Sequence, residues 1–172
     1  QFDQETFQKR KGSFTWNMNY MPVYAWYNGT IERYMVGDKI QDPSKVVAMT
    51  KPVGSIQDKK AKIYPYKTHT GDQPMDSVHK YLSTFQQYKS LWVHYNWDKA
   101  LKDGAQEEGL PYSGKYQFVK TIAYIAAQHQ VAPKEQALQC GDCHMGSKRM
   151  DWKALGYKGD PMRVGGRFGM KK

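Results

Sequence analysis

The 172-residue sequence predicts a mainly α chain with long irregular segments and an N-terminal β-hairpin. Three observations lead there. Between Tyr116 and His129, the residues Phe118, Ile122, Ile125 and His129 recur at spacings of four, three and four, one stripe of a helix. Two β-rich runs, Pro22 to Tyr27 and Thr30 to Val36, flank Asn28-Gly29, the dipeptide that supplies both positive-φ positions of a type I′ turn. Residues 37–75 are rich in Gly, Pro, Lys and Asp, with only short apolar islands (Val46-Val47, Val53, Ile63-Tyr64), which reads as loops and at most short strands. So long a stretch without regular structure implies a chain that wraps a large body. The expected organisation is an extended arm, hairpin (21–36) and loops over 1–75, then a helical region over 76–172.

The remaining elements follow in order. Residues 1–20 are polar with scattered aromatics (Phe2, Phe7, Phe14, Trp16, Tyr20) and no period, which reads as an extended arm. Asn28-Gly29-Thr30 also fits a glycosylation sequon, but the hairpin turn is the preferred reading. Asp76 can cap a helix carrying Val78, Tyr81, Leu82 and Phe85 on one face. Trp97 to Lys102 reads as a second, shorter helix ended by Gly104. Ser113 is positioned to cap the long helix over 116–129. Pro133 fits the first turn of a short helix through Leu138. Asp151 to Leu155 reads as another short helix closed by Gly156, and the Gly- and Lys-rich tail 163–172 as loose.

Composition limits the function. Lys and Arg number 26 against 16 Asp and Glu, a formal net charge of +10, which calls for an anionic partner. The basic residues are scattered, and their densest clusters (Lys9-Arg10-Lys11, Lys59-Lys60-Lys62, Lys148-Arg149, Lys171-Lys172) come without any nucleic-acid-binding pattern, so nucleic acid is not the expected partner. No apolar run is long enough for a membrane-spanning helix. An aromatic content of 14% is too high for a solvated coil. Gln1 opens directly into polar sequence without a leader, as expected of a mature, trimmed or partial chain. Two cysteines are too few for a disulfide framework.

Those cysteines carry the chemistry. Cys140-Gly141-Asp142-Cys143-His144 is C-x-x-C-H, the attachment signature of a c-type haem. Two thiols on one turn can each form a thioether to one vinyl carbon of the porphyrin, and His144 then serves as the proximal iron ligand. A Zn²⁺ site would want a second ligand pair, and there is no other Cys. A thioredoxin-like site would need a preceding strand and a following helix, whereas Lys134 to Leu138 reads as helical and Met145-Gly146-Ser147 as a turn. Covalent haem attachment points to a periplasmic or extracellular protein.

For the distal position the sequence offers His69, His79, His94, His129 and nine Met. His129 ends an apolar stripe, a common place for a core histidine but also the lining of a haem pocket. His69 lies in the irregular run Tyr66 to Asp72, with no core role in view. His79 and His94 read as partly exposed, and Met145 follows the proximal ligand too closely to reach the opposite face. His129 and His69 are therefore the candidate distal ligands. One haem needs only one, so the surplus implies a chain that lends a ligand to other haems. Their propionates would also account for the positive charge.

The run Val131 to His144, followed by Met150-Asp151-Trp152-Lys153-Ala154-Leu155-Gly156-Tyr157, resembles the C-terminal part of octahaem tetrathionate reductase-type multihaem cytochromes c. Tyr24 to Thr30, Lys51 to Ser55, Pro65 to His69 and Gly109 to Lys115 resemble the same family, which is related to hydroxylamine oxidoreductase and pentahaem nitrite reductase. The resemblance implies periplasmic or extracellular proteins with eight c-type haems, mostly bis-His, in close-packed chains. It implies a reaction (reduction of tetrathionate, nitrite or hydroxylamine) at a lysine-ligated haem. By resemblance His69 and His129 match distal ligands and His144 a proximal one. This sequence carries one C-x-x-C-H, and no lysine in it can be assigned as the catalytic ligand. The expectation is an electron-transfer segment whose partners are other haem-bearing chains, or the remainder of the same protein, and redox proteins. The alternatives are part of a sulfur- or nitrogen-oxyanion reductase, a subunit of an extracellular cytochrome filament, and a stand-alone four-helix monohaem cytochrome. The hairpin and the Pro-rich first half argue against the last.

Overall fold

A computed structural model describes residues 5–10, 12–13, 20–127 and 133–167. The elements in chain order are β1 (Phe7–Gln8), β2 (Gly12–Ser13), β3 (Val23–Tyr27), β4 (Ile31–Arg33), β5 (Val47–Pro52), β6 (Lys62–Asp76), a π-turn (Gln87–Leu91) running into α1 (Trp92–His94), α2 (Trp97–Glu108), β7 (Tyr116–Ala126), a 3₁₀ turn (Lys134–Gln136), α3 (Cys140–Cys143) and α4 (Pro161–Val164). Strand residues outnumber helical ones, and one mixed five-stranded sheet of order β3-β6-β7-β5-β4 is the main feature. The expected mainly α fold is therefore wrong.

Each error has a physical cause. The segment taken as the strongest helix is β7. Its apolar residues are nearly all β-branched or aromatic (Tyr116, Phe118, Val119, Thr121, Ile122, Tyr124, Ile125), a composition that favours a pleated surface over a helix. The buried positions are Val119 and Thr121, two apart, which is the strand period. The stretch expected to be loop contains β6, the longest strand. Pro65, Gly71 and Pro74 disguised it, since proline within a strand is usually confined to edges and bulges. Here Pro65 still contributes its carbonyl, which accepts from Ala127 N–H at 3.0 Å.

The hairpin also fails in its pairing. Strands β3 and β4 do flank Asn28-Gly29, but β3 pairs antiparallel with β6 (Trp26 opposite Ile63), while β4 pairs antiparallel with β5 (Glu32 opposite Lys51). They are the two outer strands of the order. Gly29 has φ 104° but Asn28 is not in the left-handed region, so the type I′ geometry does not form. Instead Asn28 donates through Nδ2 to Asp58 at 2.9 Å, and its backbone N–H donates to Val53 O at 2.8 Å. Strand β5 runs parallel to β7, with a shift between Ala48 and Thr50. The Thr50 hydroxyl fills that irregularity, donating to Tyr124 O and accepting from Tyr124 N–H, both at 2.9 Å. In the expected arm, β1 and β2 form a short antiparallel pair.

The chain divides into two compact units built from alternating segments: Gln1–Met21, Val36–Asp42 and Gln73–Val119 in one, Pro22–Met35, Pro43–Asp72 and Lys120–Lys172 in the other. In the first, Asp76 caps a turn, not a helix. Lys80 has φ 60°, which ends helical geometry there, and Ser83 N–H returns to Pro74 O at 2.8 Å. The Asp76 carboxylate is fully buried and accepts from the N–H groups of Val78 (2.9 Å), His79 (2.7 Å) and Ser113 (2.8 Å) and from the Ser113 hydroxyl (3.0 Å). Burial pushes its pKa up, but these donors outweigh it and hold the carboxyl below its ordinary range. Helix α2 is longer than expected. Asn96 caps it, accepting from Lys99 N–H at 3.0 Å, and Gly109 at φ 67° ends it. Gly104 lies inside α2, where a Cβ would stand 2.1 Å from Thr84 O, so only glycine admits that approach.

In the second unit the core is Trp26, Ala61, Met150 and Leu155, with Tyr24, Ile56, Ile63, Cys143, Trp152 and Tyr157 packed against it. Trp26 donates its indole N–H to Leu155 O at 2.8 Å. Arg167, in the tail expected to be loose, stacks over Trp26 at 4.3 Å and donates to the carbonyls of Ile56 (2.6 Å), Ala61 (2.9 Å), Ser55 (3.2 Å) and Asp58. The expected helix over 151–155 is a single turn, with Leu155 N–H on Asp151 O at 3.1 Å.

Candidate haem-attachment site

The C-x-x-C-H segment is a one-turn helix, α3, whose start is fixed locally. Gln139 N–H donates to the Asp142 carboxylate at 2.7 Å, and Asp142 N–H returns to Gln139 O at 3.0 Å, so the ends of the turn hold each other. His144 N–H closes the turn on Cys140 O at 3.0 Å. Met145 and Gly146 then take positive φ, 59° and 92°, and reverse the chain. Both thiols are free; Cys140 is exposed and Cys143 half-buried against the Trp26 cluster.

His144 is held in three ways. Its Nδ1–H donates to Asp160 Oδ1 at 2.6 Å. The other Asp160 oxygen accepts from Met145 N–H at 2.8 Å, which fixes the backbone beside the ring. The Trp152 indole stacks on the imidazole, centroids 5.0 Å apart and planes 14° from parallel. Trp152 is itself set edge-on to Tyr157 at 5.5 Å, so the ring is tied to the core of its unit. Asp160 also caps α4, accepting from Met162 N–H at 2.9 Å. Burial raises the Asp160 pKa, but the bonds from His144, Met162 and Met145 prevail and hold the carboxyl below its usual value. A carboxylate on Nδ1 fixes the tautomer with the proton there and leaves Nε2 as a free electron pair, the state a metal-binding imidazole needs. Two unpaired thiols on one turn, followed by an imidazole with one nitrogen engaged and the other open, fit a covalently attached haem with iron on Nε2. Among the described residues no three His, Cys, Asp or Glu side chains gather into a metal cluster, so the donor set of a zinc site is not assembled.

Of the distal candidates, His69 stands exposed on β6, and His129 lies outside the described residues. His94 is engaged at both nitrogens: Nε2 lies 2.7 Å from Ser90 Oγ, and Nδ1 accepts from Asn96 N–H at 2.9 Å. Ser90 gives its proton to Asp103 at 2.6 Å, so this Ser, His and Asp do not form a nucleophilic triad, which would need the serine proton on histidine. His79 stacks against Tyr81 at 6.2 Å.

The family model of bacterial cytochrome c matches residues 1–147. The chain belongs to that family. Covalent haem c is therefore its cofactor. Among solved structures it is similar to an octahaem cytochrome c from Shewanella oneidensis, with 46% sequence identity and a TM-score of 0.84. The likeness covers 92% of this chain but 38% of that one, so this cytochrome spans well under half the length of its structural neighbour. No curated protein matches it. The resemblance to octahaem cytochromes drawn from the sequence is borne out. No helix among the described residues is long and apolar enough to cross a membrane.

Sequence reasoning missed Asp160 and the role of Trp152. Asp160-Pro161 is legible as an N-cap followed by proline at the first helical position. That signal places a helix start; it does not reveal that the same carboxylate faces a histidine sixteen residues earlier.

Proposed function

We propose that the chain is the part of a multihaem cytochrome c that carries one haem of its own and supplies ligands to neighbours, passing electrons among them. The haem is bound through Cys140 and Cys143, with His144 as the proximal ligand. The observation that carries this is the fixed Nδ1 of His144, which leaves Nε2 open directly after the two free thiols. Apolar side chains stand exposed on the same segments (Leu138, Met145, Met162, Val164), surface that a macrocycle would cover. Once bound, haem supplies a one-electron couple, and the chain tunes it by ligand orientation and by burial.

His69 and His129 are proposed as distal ligands to iron. The exposure of His69 on β6 supports a reach to a haem held by another part of the assembly. The net charge of +10 suits a body of propionates. Partners are then other haem-bearing chains or further sequence of the same protein, together with redox proteins, in the periplasm or outside the cell.

The test is the pyridine haemochrome of the purified protein after acid–acetone extraction. We expect one covalent haem for this C-x-x-C-H, lost in Cys140→Ser/Cys143→Ser and destabilised in His144→Ala. A Cys140–Cys143 disulfide with no covalent haem at this motif would refute the assignment.

A further inference from the structure

We propose that Asp160 is a positioning residue for the haem iron, setting the orientation and electron donation of His144 and thereby lowering the reduction potential of that one haem. The inference rests on His144 being the proximal ligand. It is carried by geometry. One carboxylate takes the ring N–H of His144 at 2.6 Å and the N–H of the next residue at 2.8 Å, so ring and backbone are fixed from a single group. Trp152, parallel to the ring at 5.0 Å, blocks rotation about χ2 and covers one imidazole face. The His144 and Asp160 side chains retain only 21% and 12% of their exposure, so solvent screens this contact weakly. Asp160 is in turn anchored by capping α4, where its backbone carbonyl accepts from Arg163 and Val164 at 2.9 and 3.0 Å. A carboxylate that accepts from the non-ligating nitrogen makes the other nitrogen a stronger donor. A stronger donor favours the ferric over the ferrous state, so the potential falls.

Asp160→Asn separates this role from a structural one. Asn caps a helix as well as Asp does, so α4 is retained, but the negative charge facing the ring is gone. In the holoprotein, a redox titration followed at the Soret band is expected to show one haem's share of the absorbance change moving to more positive potential. Its covalent haem content should equal that of the unsubstituted protein. The low-spin ferric resonance of that haem should shift as well. A titration and a spectrum that both overlay the unsubstituted protein would overturn the proposal. Independently of any variant, the reduced, diamagnetic protein should carry a slowly exchanging, strongly downfield Nδ1 proton on His144. A proton exchanging as fast as that of free imidazole overturns the proposal even if the variant does not accumulate. Failure of the underlying ligand assignment looks different: His144→Ala would leave the haem spectrum unchanged.

Discussion

Replacing Asp76 by Asn should destabilise the protein strongly at neutral pH and progressively less in acid. The side chain is fully buried and collects four donors; three converge on Oδ1 and the fourth, Ser113 N–H, on Oδ2. Asn can keep the Oδ1 contacts, but its amide NH₂ then faces the Ser113 N–H. That loses one charge-assisted bond, worth about 1.5–3 kcal/mol, and leaves a buried donor unsatisfied at about 1–3 kcal/mol. The sum is about 2.5–6 kcal/mol, and at about 2–4 °C per kcal/mol for a domain of this size the melting temperature should fall by on the order of 10 °C. The pH dependence follows from the depressed pKa of Asp76. A carboxyl that titrates lower in the folded than in the unfolded chain stabilises fully above its unfolded value, about 3.9, and loses that stabilisation as pH falls through the folded value. The gap between the two proteins should therefore be constant from neutrality to about pH 4 and shrink below that. Guanidinium unfolding followed by far-ultraviolet circular dichroism, with the Soret band as second probe, measures it. An Asn variant as stable as the parent at pH 7, or a gap that stays constant to pH 2, would refute the account of Asp76 as a charged hub.

Three further outcomes are expected. Gly104→Ala gains about 1 kcal/mol of helix propensity, but its Cβ meets Thr84 O at 2.1 Å, so thermal unfolding should report a net loss of at least about 2 kcal/mol. Arg167→Lys keeps the charge but cannot span the carbonyls of Ser55, Ile56, Asp58 and Ala61. It should cost about 2 kcal/mol, and limited proteolysis should cut sooner in 55–61. His69→Ala and His129→Ala should each turn one low-spin haem high-spin in the ferric absorption and resonance spectra without changing covalent haem content; loss of neither low-spin signal would remove them as ligands.

The chemistry was legible in the chain because it is local. Two thiols and an imidazole within five residues form their site from one turn, and no distant contact is needed to recognise it. Turn and cap residues were legible for the same reason. Asp76 was read as a capping group, and it does bond the N–H groups two and three residues on, though it caps a turn and not a helix. The strands were not legible, because a strand satisfies its backbone only through partners distant in sequence. The i, i+4 spacing of Phe118 and Ile122 fits a helix face and, being even, also one face of a strand; pairing with β5 and β6 decided between them. The same holds for β3 and β4. Asn-Gly allowed a hairpin, but each strand found a different partner across the sheet. Sequence alone therefore marked Cys140 and Cys143 as the place where a haem would be attached. Tertiary structure alone decided that Asp160 and Trp152 hold the histidine that follows, since only folding brings a side chain sixteen residues away to within 2.6 Å of its ring.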